Sequence, residues 1–316
     1  MEVADRITVI CIAYNHEKWI EQTLESVLLQ DYYAKELIVV DNGSTDETAE
    51  KIQNWINNSS GKLSVQAFFQ KETKPYCQLF NEILSNVQGN YLVDLSGDDV
   101  LYPDHLSSSI RVLRTSPQAA FVFSDAYILD EQGEVNTFYK RNSSGELDEE
   151  IELSNIYETL IQRSFICSPT VVFNTSILRK EGGYDESLYY EDFDIQIRLA
   201  RNYPVVFSDH IGVLKRRHAG SMSAGQYHRY QSQMLPSTVR VCSKIQQMNY
   251  TEEENKALKT RILFELKHAL WSANFEPALE LVKMGENLGI KDPRFLLYRL
   301  WAKKKWDISW LYIQLT

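Results

Sequence analysis

The chain is 316 residues long, above the ~100 to 200 residues of a usual single domain, so one large domain with a smaller appendage is expected. Its 44% hydrophobic and 24% charged residues are those of a soluble globule and exclude a disordered, collagenous or membrane-spanning chain. With 43 acidic against 33 basic residues it repels nucleic acid, so no nucleic-acid partner is expected and any bound phosphate needs local help.

Cys11, Cys77, Cys167 and Cys242 are scattered and form no CxxC pair, which suggests neither a zinc knuckle nor a disulfide framework and fits a reducing compartment. Met1 to Arg6 lead straight into a strand-like run without a charged and then apolar leader, and no apolar run reaches ~18 residues, so a cytoplasmic location is expected.

Ile7 to Ala13 is a β-branched apolar run, followed by Asn15 as a candidate cap and a helical face of Ile20, Leu24, Val27 and Leu28. The pattern repeats with a short strand from Leu37 to Val40, a capping box of Ser44 and Glu47, and a helical face of Ala49, Ile52 and Ile56. A strand near Val65 to Phe69, a helix from about Tyr76 to Asn86 and a strand from Tyr91 to Leu95 extend the series. Alternation of this kind predicts an α/β fold with a mostly parallel sheet. Asn142 to Glu152 is polar and acidic and reads as a loop or lid, after which Val171 to Phe173 and a helix around Asp192 to Arg201 resume the pattern. Beyond about Gly225 the periodicity becomes helical: Thr251 and Glu254 form a capping box, Leu258, Ile262, Leu266 and Leu270 a stripe, and Phe275 to Leu288 and Pro293 to Lys305 two further helices. The expected division is residues 1–224 as the α/β domain and 225–316 as an all-α module.

Three polar segments follow strands: Ala13-Tyr14-Asn15, Asp41-Asn42-Gly43-Ser44-Thr45-Asp46 and Ser96-Gly97-Asp98-Asp99. In open α/β sheets ligands bind outside the carboxyl ends of the strands, so these segments are expected to converge on one site, although each alone also reads as a turn or helix start. Taken with Gly89-Asn-Tyr-Leu-Val, Gly182-Gly183-Tyr184-Asp185, Glu191-Asp192 and Arg216-Arg217-His218 before Gly220-Ser221, they make the chain resemble a family 2 glycosyltransferase with the GT-A fold, over residues 6 to about 220.

The resemblance implies an inverting transfer of a sugar from a nucleotide-sugar donor, most often a UDP-sugar, to a hydroxyl of a glycan or lipid-linked acceptor, of the type used in bacterial surface-polysaccharide synthesis. It implies that Asp41 contacts the base, flanked by Ala13, Tyr14 and Asn15, and that Ser96, Gly97, Asp98 and His218 line the donor. A diphosphate leaving group in an acidic protein calls for Mn²⁺ or Mg²⁺, with Asp98 as first ligand and Asp99 and His218 beside it. The family metal loop carries aspartates two apart; Ser96 stands at the first of those positions and Asp94 is displaced by two residues. Asp192 is the expected general base, with Glu191 as its partner and Glu191 or Asp194 as local competitors. His16, His105, His210, His228 and His268 show no ligand spacing and read as structural.

In the tail, Arg294, Arg299, Lys303, Lys304 and Lys305 are interleaved with Tyr298, Trp301, Trp306, Trp310 and Tyr312, a pattern that suits either peripheral contact with the inner membrane face or packing of the helical module. Two other functions fit parts of the sequence. A sugar nucleotidyltransferase would need a Gly-rich, Arg-containing loop that the stretch after Ile12 lacks, and an inactive nucleotide-binding or docking protein would explain Ser96.

Overall fold

In the computed structural model, residues 5–148 and 150–312 are described, the Tyr312 side chain excepted, so the opening residues before Asp5, Glu149 of the polar loop and the aromatic ring of Tyr312 lie outside the described residues. The elements of the first half are β1 (Ile7–Ala13), α1 (Ile20–Leu28), β2 (Lys35–Asp41), α2 (Thr48–Asn58), β3 (Ser64–Phe69), α3 (Tyr76–Leu84), β4 (Tyr91–Ser96), β5 (Val100–Leu101), α4 (His105–Thr115), β6 (Phe121–Leu129) and β7 (Val135–Thr137). Those of the second half are α5 (Ile156–Gln162), β8 (Val172–Asn174), α6 (Thr175–Lys180), α7 (Asp192–Asn202), β9 (Val205–Arg216), α8 (Met234–Met248), α9 (Glu252–Trp271), α10 (Phe275–Asn287), α11 (Pro293–Lys304) and α12 (Ser309–Tyr312).

The chain forms two compact units. The first comprises Met1–Ser154, Ile166–Tyr184 and Arg198–Arg217; the second comprises Asn155–Phe165, Asp185–Ile197 and His218–Thr316. Among the described residues all strands lie in the first, in one sheet of order β3-β2-β1-β4-β8-β6-β9-β5, with β7 paired to β6. The long ladders β1–β2, β1–β4, β2–β3 and β6–β9 are parallel, and the short ones made by β5, β7 and β8 are antiparallel. Every residue of β1 is buried, as are Glu36 to Asp41 of β2, which is why both strands read as unbroken apolar runs rather than as alternating ones.

Element positions agree with the sequence pattern, but two helix starts do not. The first turn of α1 begins at Trp19 without a side-chain cap, and Asn15, at φ 54°, instead joins two loops. Helix α2 has no cap from Ser44; the Asp46 carboxylate takes that place and accepts from Thr48 N at 3.0 Å. In both cases a loop-to-loop hydrogen bond outcompeted the local cap. The expected lid is a tight turn where it begins: Asn142 Oδ1 accepts from Ser144 N and Glu146 N at 3.0 Å, and Arg141 is anchored to Asp125 at 2.6 Å and Asp209 at 2.7 Å.

In the second unit the Thr251–Glu254 capping box opens α9, whose Leu258, Ile262, Leu266 and Leu270 are fully buried. A buried pair, Arg261 and Glu265 at 3.0 Å, ties α9 to the carbonyl of Ile161, which accepts from Arg261 Nε at 2.7 Å.

Two histidines that the sequence left apart meet in the first unit. His105 Nδ1 lies 3.2 Å from His210 Nε2, whose Nδ1 pairs with Ser208 Oγ at 2.9 Å, and a Cβ on Gly212 would approach His105 Nδ1 to 2.1 Å. Burial first, and His210 second, hold the His105 imidazole down at about 3 against its usual 6.5. The folded chain therefore keeps His105 neutral where the unfolded chain takes up a proton, so stability is present above about pH 6.5 and is lost as pH falls from there toward about 3. The urea midpoint should drop over that window, and less steeply in a His105→Leu variant; equal slopes for the two proteins would refute the assignment.

Candidate active site

The carboxyl edge of the sheet collects the polar segments. Ala13 is paired with Asp41, and Ile12 with Ser96, so the ends of β2, β1 and β4 lie side by side. At about 4.8 Å between strands, the ends of β2 and β4 stand about 10 Å apart. Asn15 bridges the first two loops: its N–H donates to Ser44 Oγ at 2.9 Å and its side-chain oxygen accepts from Thr45 N at 2.8 Å. Beside them Tyr14 is 44% exposed.

Asp41 is buried, with one carboxylate oxygen, Oδ2, accepting from Ser44 N at 3.2 Å. The other, Oδ1, is buried with no hydrogen-bond partner among the described residues. Next to it Asn42 brackets Lys74, donating to its carbonyl at 3.0 Å and accepting from its N–H at 2.9 Å. Gly43 has φ +75° and admits no side chain, since a Cβ there would come within 2.8 Å of the backbone of Glu72 and Thr73.

The third loop is built by close packing. Gly97 donates to the Ile12 carbonyl at 3.1 Å, and its own carbonyl accepts from Thr23 Oγ1 at 3.0 Å. Asp98 follows, 6% exposed, with His16 Nε2 at 4.0 Å from its Oδ2. Asp99 Oδ1 accepts from Arg216 N at 3.0 Å, while the Arg216 guanidinium donates to the Asp98 carbonyl and to Gln22 Oε1. Burial, then the neighbouring Asp98, push the Asp99 carboxyl up to about 7 against the pull of Lys215 and Arg216.

Asp94 is committed elsewhere. Its two carboxylate oxygens accept from Tyr76 OH at 2.6 Å and Tyr184 OH at 2.7 Å, and desolvation raises it to about 6 despite both bonds. Tyr184 is itself fixed by Asn81, which donates to its carbonyl at 2.8 Å, and by Phe80 stacked at 4.0 Å.

Ala13, Tyr14, Asn15, Asp41, Ser96, Gly97, Asp98 and Asp99 thus belong to the first unit, whereas Glu191, Asp192 and His218 belong to the second. Glu191 and Asp192 are half-buried at the start of α7, and Asp192 Oδ1 accepts from Phe193 N at 2.7 Å. Asp194 is only 1% exposed and takes a hydrogen bond from Lys244 Nζ at 2.6 Å. His218 sits in a turn closed by Ser221 N donating to its carbonyl at 2.9 Å. Among the described residues no group of three or more His, Cys, Asp or Glu side chains is placed to hold a metal ion. Sequence reasoning passed over His16 and Arg216 as site residues; His16 directly follows the Ala13-Tyr14-Asn15 segment, and that adjacency was the available signal.

The sheet, with its polar segments at the strand ends, invites comparison with known proteins of α/β fold. The model of the glycosyltransferase-like family 2 matches residues 7–258, and the chain belongs to that family. An uncharacterised glycosyltransferase of Rickettsia typhi is 29% identical over 216 residues, covering 67% of this chain and 63% of that relative. This chain therefore spans less than two thirds of the relative it matches. In structure it is similar to S. aureus TarS 1-349 in complex with UDP-GlcNAc, with a TM-score of 0.70, 18% identity and coverage of 95% of this chain and 88% of that one. It is also similar to the mannosyltransferase PcManGT of Pyrobaculum calidifontis in complex with GDP-Man and Mn²⁺, with a TM-score of 0.60, 18% identity and coverage of 96% and 85%. The fold is the GT-A fold.

The third loop tolerates no side chain at its second position, because a Cβ on Gly97 would come within 2.7 Å of His16 Nδ1 and 2.8 Å of Ala13 Cβ. Gly97→Ala should cost about 1–3 kcal/mol by overpacking, read as a lower urea midpoint. An unchanged midpoint would show that the loop yields without cost.

Proposed function

We propose that the protein is an inverting, metal-assisted glycosyltransferase that moves a sugar from a nucleotide-sugar donor to a hydroxyl of a glycan or lipid-linked acceptor in surface-polysaccharide synthesis. The observation that carries this reading is the buried, unpartnered Oδ1 of Asp41 at the carboxyl edge of the sheet. A buried carboxylate oxygen without a donor is costly, and an imide or amide N–H of a nucleobase would supply that donor. UDP-sugars fit the role; that PcManGT is complexed with GDP-Man keeps guanosine donors in the test. Tyr14 and Asn15 would flank the base, and Ser96 and Gly97 the diphosphate.

Asp98 and Asp99 offer two adjacent carboxylates, a set that would suit Mg²⁺ or Mn²⁺ arriving with substrate phosphates and water. Asp98 would be the first ligand, Asp99 would add its second oxygen, and His218 is the further residue that the family resemblance assigns to the ion. A bound ion would neutralise the charge that develops on the departing diphosphate. Arg216 holds the backbone of this turn, and Asp99, near neutrality in its burial, gains from a positive neighbour. Asp192 would take the proton from the acceptor hydroxyl as it attacks the anomeric carbon, giving inversion by direct displacement, with Glu191 beside it. Residues 1–224 would form the catalytic domain and 225–316 a helical module.

The test is a panel of UDP-, TDP-, GDP- and CMP-sugars with Mn²⁺, scored for thermal shift and hydrolysis. Asp41→Asn should weaken nucleotide binding about 10- to 100-fold. Asp98→Ala should abolish metal-dependent binding, and Asp192→Asn should lower turnover ~10² to 10⁴-fold with little change in donor affinity. Retained Mn²⁺ stimulation in Asp98→Ala, or near-normal transfer by Asp192→Asn, would reassign those roles.

A cytoplasmic protein held on the inner membrane face would suit a lipid-linked acceptor, and α11 with the residues after it presents Leu296, Leu297, Leu300, Trp306 and Trp310 exposed. Trp301, by contrast, is buried against Trp271, and Arg299, Lys303 and Lys305 face Glu286 and Glu276. Among the described residues no helix is long and apolar enough to cross a membrane. Anionic liposomes should sediment the protein at low salt, and a Leu296, Leu297, Leu300 triple-alanine variant should stay in solution. Failure of the unaltered protein to sediment would remove membrane contact from the proposal.

A further inference from the structure

We propose that α8 is the scaffold that positions Asp192, with Lys244 as its key positioning residue, an inference that rests on the reading of Asp192 as the base. Every contact involved lies within the second unit. The segment from Asp185 to Asp194 runs along α8 as a strap. Lys244 Nζ donates to Asp185 Oδ2, Arg240 Nη1 to the Ser187 carbonyl at 2.6 Å, Ser237 Oγ accepts from Tyr189 N at 2.8 Å, and Thr238 Oγ1 shares a hydrogen bond with Tyr190 OH at 2.7 Å. As the strap advances from 185 to 189, the helix positions fall from 244 to 237. The segment turns as it goes, Leu188 N donating to the Asp185 carbonyl at 3.0 Å and Ser187 N to Asp185 Oδ1 at 2.9 Å, while its contacts track down α8 in the opposite chain direction. Residues 237, 240 and 244 share one face of the helix.

The strap then returns to where it began, because Lys244 Nζ also donates to Asp194 Oδ1 at 2.6 Å. One ammonium group therefore closes a loop whose body carries Glu191 and Asp192. The Asp194 side chain is 2% exposed, so its charge lies out of water and this ammonium group stands against it at 2.6 Å. Burial alone would raise the Asp185 carboxyl, but the Lys244 and Ser187 hydrogen bonds prevail and bring it down to about 2, so Asp185 stays charged at neutral pH. On the far side of Asp192, the Phe193 ring lies under the Arg261 guanidinium at 4.5 Å. Tyr189, Tyr190, Phe193 and Asp194 are thus held by α8 or α9, while Glu191 and Asp192 between them stay half-buried. A base must be oriented to within a fraction of an ångström of the proton it accepts, and this clamp supplies the orientation.

The experiment uses full-length protein and the nucleotide sugar hydrolysed fastest in the panel above. Lys244→Met should lower kcat about 10- to 100-fold with donor KM unchanged, and Lys244→Arg should recover most of it. Backbone hydrogen exchange should rise over residues 185–194. In an Asp192→Asn background Lys244→Met should add no further loss, which a general loss of stability would not reproduce. Wild-type kcat in a folded Lys244→Met protein, or the same fold-loss in both backgrounds, would overturn the inference. Should Lys244→Met fail to fold, Ser237→Ala combined with Thr238→Val replaces it in both backgrounds, with the same loss expected and the same two results overturning the inference. Full activity of Asp192→Asn fails the base assignment itself, whereas full activity of Lys244→Met beside an inactive Asp192→Asn fails this inference alone.

Discussion

The parallel register of β1 with β2 and β4 sets Ala13 against Asp41 and Ile12 against Ser96, and the polar architecture of the first unit depends on that alignment. Strands buried on both faces leave no room for an unpaired charge along their length. Those that occur there are matched: Glu36 with Thr8 and Arg6, Asp125 with Arg141, and Asp94 with two tyrosines. Among the described residues, the buried carboxylate oxygen left without a hydrogen-bond partner is Oδ1 of Asp41, the last residue of β2.

Four aspartates within a short reach of that edge are made different by what surrounds them. Asp94 is held by Tyr76 and Tyr184, a pairing that commits both its oxygens to the protein. Asp99 is half committed, one oxygen accepting from Arg216 N, and its burial beside Asp98 lifts it to about 7. Asp98 keeps its carboxylate toward His16, while its carbonyl is fixed by Arg216. Asp41 is divided between a loop N–H and an unmet acceptor. Composition cannot distinguish these residues; hydrogen bonding does, because a carboxylate's chemistry is set by how many of its lone pairs are already used.

The second unit contains more than the helices of the tail. Residues 185–197 fall in one compact unit with 218–316, so the acidic segment of the family motif is packed by the helices that follow it in the chain. The buried Arg261–Glu265 pair extends the same logic, since Arg261 also reaches the Ile161 carbonyl and the Phe193 ring. Charges removed from water must find partners, and here their partners lie on the helices that bracket residues 185–194.

Much of this was legible in the sequence. β1, α1, α3, β4, the α9 capping box and its buried stripe are local patterns, and a local pattern needs only neighbours a few residues away to declare itself. Three polar segments after three strands were likewise readable, because a parallel sheet puts successive strand ends on one edge. The helix starts at Asn15 and Ser44 were misread, since their side chains were claimed by another loop about 30 residues away. Tertiary structure alone decided which carboxylates are spoken for. Asp99 meets Arg216 across 117 positions, Asp94 meets Tyr184 across 90, and Asp194 meets Lys244 across 50. Such pairings leave no periodic trace in the chain, because they are set by which elements the core brings together and not by spacing along any one of them.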